Sequence, residues 1–346
     1  MHLEAEFYSR SEPLQSVVHF ITVILKEHGW GEENEDLVMD VGCGPGKVTT
    51  KWVLPLFHDV KKIVALDYLP SMIEKATAWN AHPKVEYHVG NFEDRSTVES
   101  WKGQISKIVS IHCFNWFKNQ KEGFQTAYDL LKPGGEAALY FELHSNFFTA
   151  VEEITDSEKW KSFFKGIYNY VPESNRNKYD SCHYRKIAES IGFEVLFCRS
   201  ELKMNEFNSH ETVKGLYYSV CALVPYVPEN RREEFKDDLY ECVLKQGNRN
   251  IDSIPLHAAT TLELVISQFE DDPLPRGDLL YKQTCHRQSA SPAAGPERPI
   301  QDAAYTSLVV IRTGILHWLS SEMHSRTEKR AEGIKIAKSS RNVSCL

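Results

Sequence analysis

The sequence predicts an α/β protein built on a mostly parallel sheet with helices on both faces. Three observations predict it. Short apolar runs recur over the first 270 or so residues, and helix-like stretches separate most of them. The first run ends in an acid followed at once by a glycine-rich turn, MDVGCGPGKVT at 39–49. Strand alternating with helix is the pattern of crossover connections between parallel strands.

Taken in order, residues 13–28 place Leu14, Val17, Val18, Ile21, Ile24 and Leu25 at helical spacing, with Ser11 to cap the helix, Pro13 in its first turn and Gly29 to end it. Five apolar runs follow: DLVMDVG, KIVALD, VEYHVG, KIVSIHC and EAALYFEL. Helices are expected at 69–79 and 121–131 between them. FEVLFCRSE at 193–201 reads as a sixth strand, preceded by the helix-like YRKIAESIG. Two helices are expected at 210–223 and 229–246, and TTLELVISQ at 260–268 makes a last strand. Beyond about residue 270 the character changes. Residues 285–303 are rich in Pro, Ala and Ser, and a basic end follows. The simplest division is one domain over 1–270 and a tail over 271–346, with no internal repeat.

Composition narrows the class of partner. The chain has 346 residues, 42% of them hydrophobic and 25% charged, which is ordinary for a globular protein with a sizeable core. Its formal net charge of −8 argues against a nucleic-acid partner. No apolar run approaches the roughly 18 residues that span a bilayer, and the N-terminus has no basic-then-apolar signal pattern. The eight cysteines include no C-x-x-C pair, so neither a zinc site nor a disulfide scaffold is indicated. Reduced thiols in a cytoplasmic protein are the expectation.

The glycine loop discriminates between ligands. A phosphate-binding P-loop needs G-x-x-x-x-G-K-[S/T], but positions 41 and 48 are both Val. A dinucleotide fingerprint needs glycine where Lys47 stands. What remains is D-x-G-x-G-x-G, with Asp40 ahead of Gly42, Gly44 and Gly46. Such glycines let backbone N–H groups approach a ligand, although a plain strand-to-helix turn also uses them. An acid at the strand end suits a positive amine, which S-adenosylmethionine offers on its methionine half. Asp67 closes the second strand and is placed to accept both ribose hydroxyls; it is equally placed to cap the helix at 69–79. Tyr68 and Met72 flank an adenine ring or belong to the core. At the end of the third strand, Asn91 is placed to read the adenine amino edge and Phe92 to stack. Three strand ends with fitting residues in this order form a class I methyltransferase pattern.

The stretch from Asp40 to LLKPGGE (130–136) resembles that superfamily, with Pro133, Gly134 and Gly135 as its turn into the fifth strand. FYSRSEPLQ (7–15), SIHCFNWF (110–117), HPKVEYHV and VPYVPENRREEFKDDLYECV resemble the juvenile hormone acid O-methyltransferases, so that the likeness covers about 6–268. The resemblance implies a Rossmann-like sheet with an antiparallel last strand and a helical cap drawn from 1–30, 144–180 and 205–250. It implies S-adenosylmethionine as cofactor, with Ser110 among its contacts, and no metal. It further implies methyl transfer to the carboxylate of a farnesoic-type isoprenoid acid. Gln15 and Trp116 match the pair that holds this carboxylate through a side-chain amide and an indole N–H. Asn115 departs from the His or Gln common before that Trp in related enzymes. His112 and His144 lie at the ends of strands four and five, beside the expected substrate pocket, as structural histidines or bases.

A carboxylate acceptor is already ionised at pH 7, so alignment and desolvation suffice without a strong base. Residues 141–170 hold eight aromatics and read as a pocket wall, with Trp160, Phe163, Phe164 and Tyr168 as one helix's core face in the plainer reading. Two alternatives stand beside this one: a methyltransferase for another small acid or a quinone carbon, and a methyltransferase-fold protein that binds without turnover.

Overall fold

A computed structural model describes residues 12–167 and 170–269 of the chain. Ser11, Tyr168 and the tail at 271–346, singled out above, lie outside the described residues.

Seven strands form one sheet: β1 Glu35–Val41, β2 Val60–Asp67, β3 Val85–Val89, β4 Ile105–Ile111, β5 Leu131–Ser145, β6 Phe193–Glu206 and β7 Leu256–Gln268. Their order is β3-β2-β1-β4-β5-β7-β6. β1 pairs in parallel with both β2 and β4, β2 with β3, and β4 with β5. β7 inserts between β5 and β6 and runs antiparallel to both. The last strand is therefore the antiparallel one.

The unbroken apolar runs have a simple cause. Side chains alternate between faces along a strand, and both faces of this sheet are covered. Val38, Ile63 and Ala65 enter one core cluster, while Met39, Val41, Val64 and Leu66 enter the other. Each residue is buried, whichever way it points.

The first helix (α1) runs through Gln15–His19, a wider π turn at Phe20–Ile24, and Leu25–Glu27. Its Val17, Phe20, Ile21, Ile24 and Leu25 join the cluster that contains Val38. Pro13 falls before the helix rather than in its first turn, with Leu14 at the cap position. Gly29 follows the helix at φ +78°, a left-handed conformation that lets the chain leave it.

A separate apolar cluster forms the cap, built from α2 Asn146–Asp156, α3 His210–Val220 and α4 Arg232–Gln246. Ser145 and Ser209 cap α2 and α3, their hydroxyls accepting the N–H groups of Phe148 and Thr212 at 3.2 Å. Residues 157–167 correct the expectation of a helical face. They hold only a 3₁₀ turn at Lys161–Phe163, and Trp160 and Phe164 reach the cap core from turns. The Trp160 indole N–H donates to Asp238 at 2.7 Å, and Arg231 lies 4.3 Å over its ring. Among the described residues no helix is long and apolar enough to cross a membrane.

Candidate active site

The parallel strands β1, β2, β4 and β5 end at one edge of the sheet, and the antiparallel β7 begins there. The glycine turn leaves β1 at this edge. Gly42, Gly44 and Gly46 have φ of +77°, +55° and +79°, a region that side chains make costly. A Cβ at Gly42 would sit 2.5 Å from Cys113 Sγ, and one at Gly46 would sit 2.4 Å from the Tyr87 hydroxyl. The glycines are thus required by packing within the protein as well as by access for a ligand. The N–H groups of Gly42 and Cys43 both donate to the Leu66 carbonyl at 2.8 Å, which ties the turn to β2.

Two carboxylates bracket the turn. Asp40 is 3% exposed and accepts a hydrogen bond from Thr49 Oγ1 at 2.6 Å. Burial pushes its pKa up to about 6, against the Thr49 bond and with help from the nearby Asp67 charge. Among the described residues no cation pairs with it within 4 Å. An uncompensated buried carboxylate is costly, and a positive ligand would offset that cost. Asp67 accepts the N–H of Leu69 through Oδ1 and that of Gly44 through Oδ2, both at 2.9 Å. Burial raises its pKa and these two bonds oppose the rise. It braces the loop and steadies the turn into the helix Pro70–Trp79, whose cap residue is Leu69. A carboxylate oxygen offers two lone pairs, so each Asp67 oxygen retains one for a ligand hydroxyl.

The remaining expected cofactor residues divide between surface and core. Tyr68 is 66% exposed beside Asp67, whereas Met72 is fully buried. Asn91 is half-buried, and its Oδ1 accepts the Glu93 N–H at 3.1 Å. Phe92 lies in the core, stacked on Phe117 at 6.1 Å and tilted against Phe114 at 5.8 Å. Ser110 is buried and donates to the Val41 carbonyl at 2.9 Å. Met72, Phe92 and Ser110 are therefore buried, and of the three Ser110 is bonded to the end of β1 ahead of the loop.

The segment after β4 presents unpaired polar atoms. His112 has φ +54°, an uncommon conformation for a residue with a side chain, and such outliers gather at functional sites. Its N–H donates to the Tyr140 carbonyl at 2.7 Å and its ring meets the Tyr140 ring edge-on at 5.3 Å. Its Nε2, Asn115 Oδ1 and His144 Nδ1 are buried without a hydrogen-bond partner. Burial lowers the pKa of both His112 and His144, so each is neutral at pH 7. Trp116 is half-buried and packs edge-on against Phe148 of the cap at 5.9 Å. Gln15 stands apart: it is exposed at the start of α1, and no hydrogen bond joins it to Trp116. Cys113 carries a thiol pushed up by burial, in keeping with packing rather than nucleophilic chemistry.

Sequence reasoning missed a further set at this edge. His257, at the start of β7, donates from Nε2 to Glu142 Oε1 at 2.8 Å, and the Tyr217 hydroxyl lies 3.1 Å from its Nδ1. The available signal was polar residues interrupting apolar runs, Glu142 and His144 in YFELHS and His257 ahead of AATTLELV.

Comparison with known proteins places this architecture. Residues 38–135, from β1 to the start of β5, match the family described as a methyltransferase domain. A juvenile hormone acid O-methyltransferase of Drosophila melanogaster is 23% identical over 259 residues, covering 72% of this chain and 86% of its own. One from Bombyx mori is 23% identical over 257 residues, covering 71% and 90%. A trans-aconitate 2-methyltransferase of Escherichia coli O157:H7 is 25% identical over 187 residues, covering 52% and 65%. Residues 38–135 thus form a methyltransferase domain within a mostly parallel seven-stranded sheet with one antiparallel strand, and the chain as a whole is similar to the juvenile hormone acid O-methyltransferases.

Proposed function

We propose that the chain methylates the carboxylate of a hydrophobic, isoprenoid-like acid of the farnesoic acid or juvenile hormone acid type, giving the methyl ester. The observation that carries this reading is the junction of the His112–Trp116 segment with the aromatic cap. Neutral polar groups stand there against an apolar wall, with Trp116 packed on Phe148. Such a site suits one carboxylate on an apolar body; a tricarboxylate calls for several guanidinium groups. The names of the two insect relatives support the same acceptor.

The cofactor, when bound, supplies an electrophilic methyl group. Asp40 would hold its ammonium, and Asp67 would accept hydrogen bonds from its ribose hydroxyls. The Trp116 indole N–H and the Gln15 amide hold the acceptor carboxylate, Gln15 from the exposed start of α1. His112, Asn115 and His144 line the pocket. No proton need be removed from an acid that is ionised at pH 7. The rate enhancement rests on alignment and on excluding water from the reacting oxygen.

Labelled methyl transfer from S-adenosylmethionine to farnesoic acid, straight-chain fatty acids and trans-aconitate tests the reading. Base-labile ester from farnesoic acid, in large excess over trans-aconitate, is the expected result. Preference for trans-aconitate would replace it with a polar-acid methyltransferase. Cofactor binding without transfer to any acid would point to another acceptor or to a non-catalytic role.

A further inference from the structure

The buried chain Tyr217–His257–Glu142 has no part in the chemistry described above, yet Glu142 lies near enough to His112 for their charges to interact. Tyr217 and His257 are 3% and 4% exposed, and the Glu142 side chain is 12% exposed. Glu142 lies at a bulge near the end of β5, where the register against β7 shifts between Glu142 and His144. β7 runs antiparallel, which brings its first residues to the edge where β5 ends. His257 therefore meets Glu142 across 115 residues of sequence.

The charges on this chain can be assigned. Burial opposes ionisation of both Glu142 and His257, but the attraction and hydrogen bond between them prevail. Glu142 is held below the usual carboxylate range and His257 above the usual imidazole range. In the imidazolium, Nε2–H donates to Glu142 and Nδ1–H donates to the Tyr217 oxygen. The pair is neutral as a whole. Without His257, an unopposed Glu142 charge would face any acceptor carboxylate at this edge.

The same chain reaches the aromatic wall by two routes. The Ser145 hydroxyl lies beside Glu142 and contributes to its low pKa, while capping α2 through the Phe148 N–H. The Tyr217 ring stacks on Phe147 at 4.9 Å with an interplanar angle of 11°. Phe148, the next residue, is the one against which Trp116 packs. The polar chain thus fixes both the first turn of α2 and its contact with α3, and through them the seat of Trp116. A buried ion pair contributes little net stability over an apolar replacement of the same shape, so stability alone does not explain its presence.

We propose that Tyr217, His257 and Glu142 are positioning residues for the acceptor: they set the Phe147–Phe148 turn against Trp116 and cancel the Glu142 charge on the acceptor side of the site. This rests on the carboxylate reading given above. The test uses the full chain with Tyr217→Phe, His257→Gln, Glu142→Gln and the double variant Glu142→Gln/His257→Gln. His257→Gln keeps a donor toward Glu142 but removes the positive charge. Its KM for farnesoic acid should rise about tenfold or more, with kcat changed less than threefold and cofactor affinity within twofold. The double variant, neutral at both positions, should recover most of that loss. Tyr217→Phe should raise the same KM severalfold. A structural role alone predicts the opposite pattern, a lowered Tm with acceptor KM unchanged and no recovery in the double variant. That pattern would overturn the proposal.

A second measurement separates this idea from the choice of acceptor. Hydrogen exchange at the Phe147 and Phe148 amides should accelerate about tenfold in Tyr217→Phe, relative to amides in β1 and β2. If the wild type methylates no acid, the proposed acceptor fails while exchange still judges the device. Unchanged exchange would remove the positioning role whatever the acceptor is.

Discussion

Asp40→Ala is expected to abolish measurable binding of S-adenosylmethionine, and Asp40→Asn to weaken it by at least 100-fold, as read by calorimetry. Asp40 is buried, bonded to Thr49 and, among the described residues, not paired with a cation, so a ligand ammonium has most to gain there. Stability should move the other way. Burial raises the folded pKa to about 6 from the ordinary 3.8, so the folded state prefers the protonated acid. Above pH 6 the ionised group is a burden on the fold, and the burden is relieved as pH falls through about 6 toward 3.8. Asparagine never ionises, so Asp40→Asn should be more stable than wild type at pH 8, on the order of 1–3 kcal/mol. A cationic ligand selects the ionised form. Wild-type cofactor affinity should therefore fall by up to about tenfold per unit of pH below about 6, a dependence that Asp40→Asn should lack. Loss of binding together with a gain in stability would separate a ligand-binding role from a packing role.

Trp116→Ala carries the second large effect, a fall in kcat/KM for the acceptor acid of about 100- to 1,000-fold with cofactor affinity retained. Two losses combine in it. The indole N–H to a carboxylate is a charge-assisted hydrogen bond worth about 1.5–3 kcal/mol, or roughly 10- to 100-fold. The ring also packs on Phe148, and its removal opens the aromatic wall to water. Trp116→Phe divides the two, because it keeps a ring at the contact and removes only the donor. It should lose about 10- to 100-fold. Steady-state kinetics with saturating cofactor read both variants, and an alanine variant with wild-type kcat/KM would take Trp116 out of the site.

The sheet and the glycine turn were legible because each is encoded within a few consecutive residues. Strands covered on both faces write themselves as unbroken apolar runs, and Asp40, Gly42, Gly44 and Gly46 share one turn. The acceptor side was less legible, because what matters there depends on which residues meet. Glu142 and His257 are 115 residues apart and Tyr217 and His257 are 40 apart, so no local pattern announces them. Phe92 shows the converse limit. Its place after β3 fits an adenine contact, but its ring contacts lie with Phe114 and Phe117 in the core. The aromatic stretch at 157–167 suggested helical spacing, yet its rings reach the cap core from turns, where burial rather than periodicity selects them.

The central claim is that the acceptor is recognised by its carboxylate on an apolar chain. The most direct test compares farnesoic acid with the alcohol of the same carbon skeleton, under saturating S-adenosylmethionine, with product followed by mass. Methyl ester from the acid and no methyl ether from the alcohol is the expected result. An enzyme that binds cofactor yet leaves the acid untouched, or that methylates the alcohol as readily, would contradict it.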